Sequence, residues 1–105
     1  MMMRGMGNMQ GMMKQVQKMQ KEMAAAKETL DAQVFEAEAG NGLVKITMTG
    51  EKKMTSIEIN PDVLDPEDPD MVQDLVLDAT NKVIEKIDVE TERVMGKYAK
   101  AIPGL

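Results

Sequence analysis

The sequence predicts an α+β fold of order α-β-β-β-α, in which two long helices flank a three-stranded antiparallel sheet. Two observations support this prediction. Apolar residues recur at helical spacing over the first and last thirds of the 105-residue chain. Between them, apolar and polar residues alternate over three short segments separated by turn sequences. We expect a single domain, residues 1–105, because a chain of this length rarely divides.

The first predicted helix covers residues 9–31. Its apolar residues follow Asn8, a candidate N-cap, at spacings of three and four, as in the a and d positions of a heptad repeat. They are Met9, Met12, Val16, Met19, Met23, Ala26 and Leu30. Three heptads are close to the minimum for a coiled coil, so this seam either forms a dimer contact or packs on a helix of the same chain. We expect residues 1–8 to be flexible, because Gly5 and Gly7 disfavour a helix.

Three strands are predicted within residues 33–60. The segment QVFEAEA (33–39) alternates, and GNG (40–42) is typical of a tight hairpin turn because Asn and Gly tolerate positive φ. LVKITMT (43–49) alternates next, and a second turn is expected over 50–53. In MTSIEIN (54–60), Ile57 and Ile59 are expected to point inward. This pattern indicates an antiparallel meander with one face to be covered.

The second predicted helix covers residues 69–100, after a loop in the acidic, proline-rich segment PDVLDPEDPD (61–70). Asp68 and Pro69 suit the N-cap and first helical positions. Pro103 and Gly104 are expected to end the helix. At 1.5 Å per residue the helix would be about 45 Å long. A three-stranded sheet is much narrower than this, so we expect both helices to project beyond it.

The composition argues against an enzyme. The chain contains no Cys and no His, which removes thiolate chemistry and the commonest general base. We find no phosphate-binding loop, catalytic triad or metal-ligand motif in the sequence, and we predict no cofactor, metal or small-molecule substrate. An acidic cluster could in principle bind Ca²⁺ or Mg²⁺, but it lacks the EF-hand spacing, and helix capping explains it better. The cluster is Asp62, Asp65, Glu67, Asp68 and Asp70.

The same composition bears on location and assembly. No apolar run approaches the ~20 residues needed to cross a bilayer, and the N-terminus lacks the apolar region of a signal peptide. We therefore expect a cytoplasmic protein with no membrane partner. With one Phe, one Tyr and no Trp, the core has little bulk. Small domains with weak cores often gain burial by oligomerising, so we expect a homodimer.

Charge is distributed unevenly along the chain. The net charge is -5, yet residues 1–21 carry four basic residues and no acid, while the remaining 84 residues carry 9 basic and 18 acidic residues. The end of the second helix is basic again after Glu92. At about 100° per residue, Lys14, Lys18 and Lys21 lie within about 60° of one another, opposite the Met seam. If the helices pair antiparallel, their basic ends form a cationic tip on an acidic body, and local potential decides whether a polyanion binds.

Nucleic-acid phosphates are the candidate ligand of this tip. The candidate residues are Arg4, Lys14, Lys18, Lys21, Arg93, Lys97 and Lys100. Most are Lys, which contacts phosphate as a point charge, whereas base readout usually enlists Arg or Asn on an element that fits a groove, so duplex DNA bound with little sequence preference is expected. Tyr98 is the single aromatic residue on a basic segment that could stack on the bases of a single strand.

Each of these features also has a simpler interpretation. The basic residues could be a solvated helix face, together with cations that the helix dipole favours at a C-terminus. The Met seam is best explained as packing, although thioethers also suit a plastic peptide-binding surface. A protein-interaction or chaperone-like dimer that uses the Met-rich helix is therefore the alternative function.

Four segments, in this order and spacing, resemble the YbaB/EbfC family of bacterial nucleoid-associated proteins. They are GNMQGMMKQVQKMQ (7–20), GNGLVKITMTG (40–50), IEINPDVLDPED (57–68) and DLVLDATN (74–81). The resemblance implies a tweezer-like homodimer, with the sheets at its centre and the helical arms projecting. It also implies a nucleoid location, duplex DNA binding by the arms, and a role in nucleoid organisation, gene regulation or recombination.

Overall fold

The computed structural model describes the backbone of residues 2–101 and the side chains of residues 9–100. Helix α1 spans Met2–Ala32, strands β1, β2 and β3 span Val34–Ala39, Val44–Thr49 and Met54–Ile59, a 3-10 turn covers Pro61–Val63, and helix α2 spans Pro69–Ala101. The predicted α-β-β-β-α order is confirmed, with strand ends within one residue of the predicted ones. The molecule is elongated, with extents of 80 × 18 × 17 Å.

The sheet is an antiparallel meander of order β1-β2-β3. Its first connection is possible because Gly40, Asn41 and Gly42 all adopt positive φ, at 62°, 56° and 89°. These residues bring Ala39 opposite Val44 in the register of the hairpin. The second turn is closed where the Thr49 N–H donates to the Lys53 carbonyl over 2.8 Å. The two predicted turns are thus confirmed.

The hydrophobic core lies between the sheet and α2. Helix α2 crosses β1 and β2, and it buries the face that the alternation predicts. The core residues are Ala37, Ala39, Val44, Ile46, Met48, Ala79, Val83 and Ile87. On α2 these residues recur at spacings of four, which places them on one stripe of the helix.

Strand β3 departs from the predicted pattern of burial. Its register places Ile57 opposite Ile46, on the core side of the sheet. Ile57 is nevertheless 45% exposed, as is Met54, whereas Ile59 is half-buried. The expectation that Ile57 points to the core side of the sheet agrees with this register, but the side chain is not covered in the single chain. The physical reason is that α2 covers β1 and β2 and leaves the apolar side of the edge strand β3 open.

Helix α1 begins earlier than the sequence indicates. The predicted start was residue 9, but the helix begins at Met2 and includes Gly5, Gly7 and Gly11. Each glycine costs a helix about 1 kcal/mol relative to Ala, and the surrounding Met, Gln and Lys residues are good helix formers that offset this cost. Over the described residues, neither long helix contains a stretch apolar enough to cross a membrane.

A close backbone contact fixes α1 to the sheet. The Gly50 N–H, in the turn between β2 and β3, donates to the Gln33 carbonyl over 2.9 Å. A Cβ atom at Gly50 would lie 1.8 Å from the Leu30 carbonyl oxygen. Only glycine allows the end of α1 to approach the turn this closely, so this residue sets where α1 leaves the body.

Candidate nucleic-acid interface

The two helices pair antiparallel over only part of their lengths. At the base of the pair, Lys27, Leu30 and Asp31 of α1 line one cavity with Thr91 and Met95 of α2. Counting outward at 1.5 Å per residue from this level, Met23 lies near Tyr98, and Lys21 lies beside Lys100. Residues of α1 before Met19 extend past Ala101, the last described residue of α2. We call the exposed stretch 9–18 the arm.

The Met seam is the row of apolar α1 residues from Met9 to Leu30. Its burial changes at the level where α2 ends. Met19, Met23 and Ala26 are half-buried and Leu30 is buried, where α1 packs on α2. Met9 and Met12 are each 65% exposed, and Val16 is 40% exposed. We call Met9, Met12 and Val16 the arm stripe. The seam is thus a packing surface within the chain over its second half, and its first half is uncovered by any described residue.

The predicted α1 cations lie on the outer side of this helix. Lys14, Lys18 and Lys21 are exposed and point away from the seam. Among the described residues, none of these three side chains forms an ion pair. Lys14 and Lys18 lie on the arm itself, so they are held farther from the acidic body than the predicted pairing of helix ends implied. The Arg4 side chain falls outside the described residues.

The predicted α2 cations lie on the opposite surface of the helix pair. Arg93, Lys97 and Lys100 are exposed, within about 60° of one another on α2. The Arg93 Nε donates to the Glu90 carboxylate, which neutralises part of its charge. The Lys97 Nζ lies 5.0 Å from the centroid of the Tyr98 ring. The two basic sets therefore flank the helix pair, with the three lysines of α1 the less neutralised.

Tyr98 is not available to stack on a base. Its side chain is only 6% exposed, in the contact between α1 and α2. The sequence suggested it as a stacking residue because it lies between Lys97 and Lys100, but its position on the helix turns it inward. Stacking on single-stranded bases requires an exposed ring face, so this residue does not provide it.

Cations near the base of the helix pair are matched by acids. The Lys27 Nζ lies 2.8 Å from an Asp31 carboxylate oxygen, and this hydrogen bond and charge raise the pKa of Lys27 above its ordinary value. The Lys52 Nζ lies 2.8 Å from Asp88. Unpaired positive charge is thus concentrated at the tip among the described residues.

In the acidic loop before α2, Asn60 and one acidic side chain accept local backbone hydrogen bonds. The Asn60 side chain accepts a hydrogen bond from the Asp62 N–H, and the Asp65 side chain accepts one from the Glu67 N–H, each over 2.9 Å. Helix α2 begins at Pro69, directly after Asp68, as predicted. In the described part of the chain, no group of three or more acidic side chains is arranged to hold a metal ion.

Two further lysines continue the basic line of α2 toward the body. Lys82 and Lys86 precede Arg93 at spacings that keep all three on one side of the helix, a pattern that a helical wheel could have revealed. They line a cavity of about 480 Å³ against β1. Glu38, Glu85 and Glu90 line the same cavity, the Lys82 Nζ lies 2.9 Å from Asp78, and the Lys86 Nζ donates to the Glu36 carbonyl over 2.7 Å. Balanced charge here ends the cationic surface at about Arg93.

Comparison with known proteins identifies the family to which this α-β-β-β-α protein belongs. The family model described as the YbaB/EbfC DNA-binding family matches residues 6–102. The chain belongs to this family, and the resemblance in its sequence segments is confirmed.

Its relatives agree with this assignment, and one solved structure has the same fold. The chain is 60% identical to a nucleoid-associated protein of Enterococcus faecalis, over 98% of this chain and 99% of the relative. It is 53% identical to a nucleoid-associated protein of Ligilactobacillus salivarius over the full length of both. The crystal structure of an uncharacterized protein from Helicobacter pylori has the same fold, with a TM-score of 0.71, 17% identity, and coverage of 83% of this chain and 91% of that one.

Proposed function

We propose that this protein is a nucleoid-associated homodimer that binds double-stranded DNA through phosphate contacts, with little sequence preference and without catalysis. The observation that carries the proposal is the position of Lys14 and Lys18 on a helix that extends past its neighbour, away from an acidic body. Its family and the names of its relatives support DNA as the ligand and the nucleoid as the location. The role we assign to such a protein is in nucleoid organisation, gene regulation or recombination.

Lysine is suited to contacts that do not depend on sequence. Its ammonium group acts as a point charge toward phosphate oxygens and lacks the rigid planar fork that gives Arg its bidentate geometry. The basic side chains on the two flanks of the helix pair number five lysines and Arg93 per chain. The burial of Tyr98 favours duplex over single-stranded DNA, because no exposed aromatic ring accompanies the described cations.

We assign the homodimer contact to the open side of the sheet. Met54 and Ile57 of β3 are exposed there, and Leu77 of α2 is 62% exposed beside a cavity lined almost entirely by apolar atoms. Leu77 lies on the flank of α2 opposite Lys82 and Lys86, which face β1. A second copy packed on this surface would cover apolar area and leave the basic tip free, with the two sheets at the centre of the dimer.

A salt-titrated gel shift on duplex DNA tests the ligand and the site. The variant Lys14→Glu/Lys18→Glu/Lys21→Glu should lose binding, because three phosphate contacts are replaced by repulsion. The variant Lys27→Glu/Lys53→Glu/Lys82→Glu makes the same change in net charge on the body and is the matched control. We expect it to bind far better than the tip variant. Equal loss in both variants would show that overall charge, not the tip, governs binding.

The dimer surface is tested separately. Ile57→Lys should give a monomer by light scattering, whereas Val34→Lys, on the opposite face of the sheet, should remain a dimer. A dimeric Ile57→Lys protein would refute this surface. Failure of wild type to bind duplex DNA at low salt would instead favour the alternative function, a protein-interaction dimer that uses the exposed methionines of α1.

A further inference from the structure

We infer that the arm stripe is a second self-association site, at which the arms of two dimers pair. The stripe consists of Met9, Met12 and Val16, and it is continuous with the surface that α1 already uses to pack on α2. Each proposed dimer would thereby contact other dimers through its arms, in addition to the contact through its sheets. The inference rests on the proposed function in the sense that DNA is the surface on which such dimers would be concentrated.

The spacing of the seam supports a helix as the occupant. Met19, Met23 and Leu30 pack on α2, and Met9, Met12 and Val16 extend the same alternation of three and four residues toward the N-terminus. A surface of this periodicity accepts a second helix with the same periodicity. The described residues of α2 do not reach the arm stripe, because Ala101 lies level with α1 residues near Gln20. Helix α2 is therefore not that second helix over its described length.

The charge pattern selects a second copy of the arm as this helix. Lys14, Lys18 and Lys21 lie on the side of α1 opposite the stripe, so two paired arms point their lysines outward. The lysines of the two arms are then about two helix diameters apart, roughly 20 Å, and are screened from each other at a Debye length of about 8 Å. Arm pairing therefore leaves the lysine faces of both arms open to DNA phosphates.

The length of the stripe limits the strength of this contact. Residues 9–16 make about two helical turns, roughly 12 Å, which is too short to bury the area of a standard stable interface. We therefore expect weak association that depends on concentration, and that becomes significant where DNA brings dimers close together. On a long duplex, this association would appear as cooperative binding.

Sedimentation velocity without DNA tests the contact directly. Wild type should form species larger than the dimer as concentration rises, in about 0.15 M salt and equally in about 0.5 M salt. The variant Met9→Gln/Met12→Gln keeps good helix formers but removes the apolar surface, and its self-association beyond the dimer should be at least about tenfold weaker. The variant Gln10→Ala/Gln17→Ala, altered on the lysine side of α1, should behave as wild type. Circular dichroism checks that all three keep their helix content.

The salt dependence separates this inference from the proposed function. DNA binding should weaken steeply with salt, whereas pairing through apolar side chains should not. If wild type remains a dimer at the highest concentration in both salts, or if Met9→Gln/Met12→Gln associates as wild type does, arm pairing is refuted. A protein that assembles through its arms but does not bind duplex DNA would refute the proposed function alone.

Discussion

Gly50→Ala should disrupt the point at which α1 leaves the body. The added Cβ would lie 1.8 Å from the Leu30 carbonyl oxygen and 2.7 Å from its carbon, where ordinary contact begins at 3.4 Å. Both atoms belong to the backbone, so no side chain can rotate away. The end of α1 must move by more than 1 Å, and the hydrogen bond from the Gly50 N–H to the Gln33 carbonyl must lengthen or break.

The expected cost follows from these two effects. Overpacking in a tight contact costs about 1–3 kcal/mol, and the upper end applies here because the backbone must yield. Loss of the hydrogen bond adds about 1 kcal/mol. We expect Gly50→Ala to lower the free energy of unfolding by about 3–4 kcal/mol in urea denaturation followed by circular dichroism, at one fixed protein concentration.

Gly11→Ala is the matched control for this substitution. A Cβ atom there meets nothing within 4 Å. Because Ala favours a helix over Gly by about 1 kcal/mol and residue 11 lies on the arm, helix content should rise slightly without any loss of stability. If Gly50→Ala unfolded at the same urea concentration as wild type, the close contact between the turn and α1 would not exist as described.

Three further substitutions test the packing of the body and the helix pair. Tyr98→Ala should cost about 3 kcal/mol in urea denaturation, because its buried ring fills the contact between α1 and α2. Ile87→Val should cost about 1 kcal/mol in the same measurement, and an unchanged midpoint would place Ile87 outside the core. Lys52→Gly should raise or maintain the melting temperature, since Lys52 has a φ of 67° and its exposed ion pair with Asp88 is worth at most about 1 kcal/mol. A large fall in the melting temperature would show that the ion pair contributes more stability than the positive φ costs.

The order of elements could be predicted because each change of period is marked in the sequence. The alternation over 33–60 and the GNG turn fix three strands to within one residue, since only Gly and Asn adopt the required positive φ easily. The sequence does not predict the start of α1 at Met2, because Gly5 and Gly7 disfavour a helix locally, whereas a long helix tolerates them.

Burial on the edge strand could not be predicted from alternation. The pattern assigns Ile57 to the correct face, but it does not tell whether a covering helix extends that far. The same limit applies to the candidate site. Lys14, Lys18 and Lys21 are recognisable from charge and spacing, whereas the offset that leaves the arm beyond Ala101 depends on where Gly50 anchors α1. The burial of Tyr98 could not be predicted either, because it depends on how α1 and α2 pack against each other.

The salt dependence of duplex binding by wild type tests the central proposal most directly. Fluorescence anisotropy with two duplexes of equal length and unrelated sequence, from low to moderate salt, gives the slope of log K against log salt for each. We expect similar affinities for the two duplexes and a slope of about -2.7 or steeper, since three lysines alone would release counterions from three phosphates at about 0.9 each. A flat slope, or a strong preference for one duplex, would contradict a phosphate-directed cationic tip.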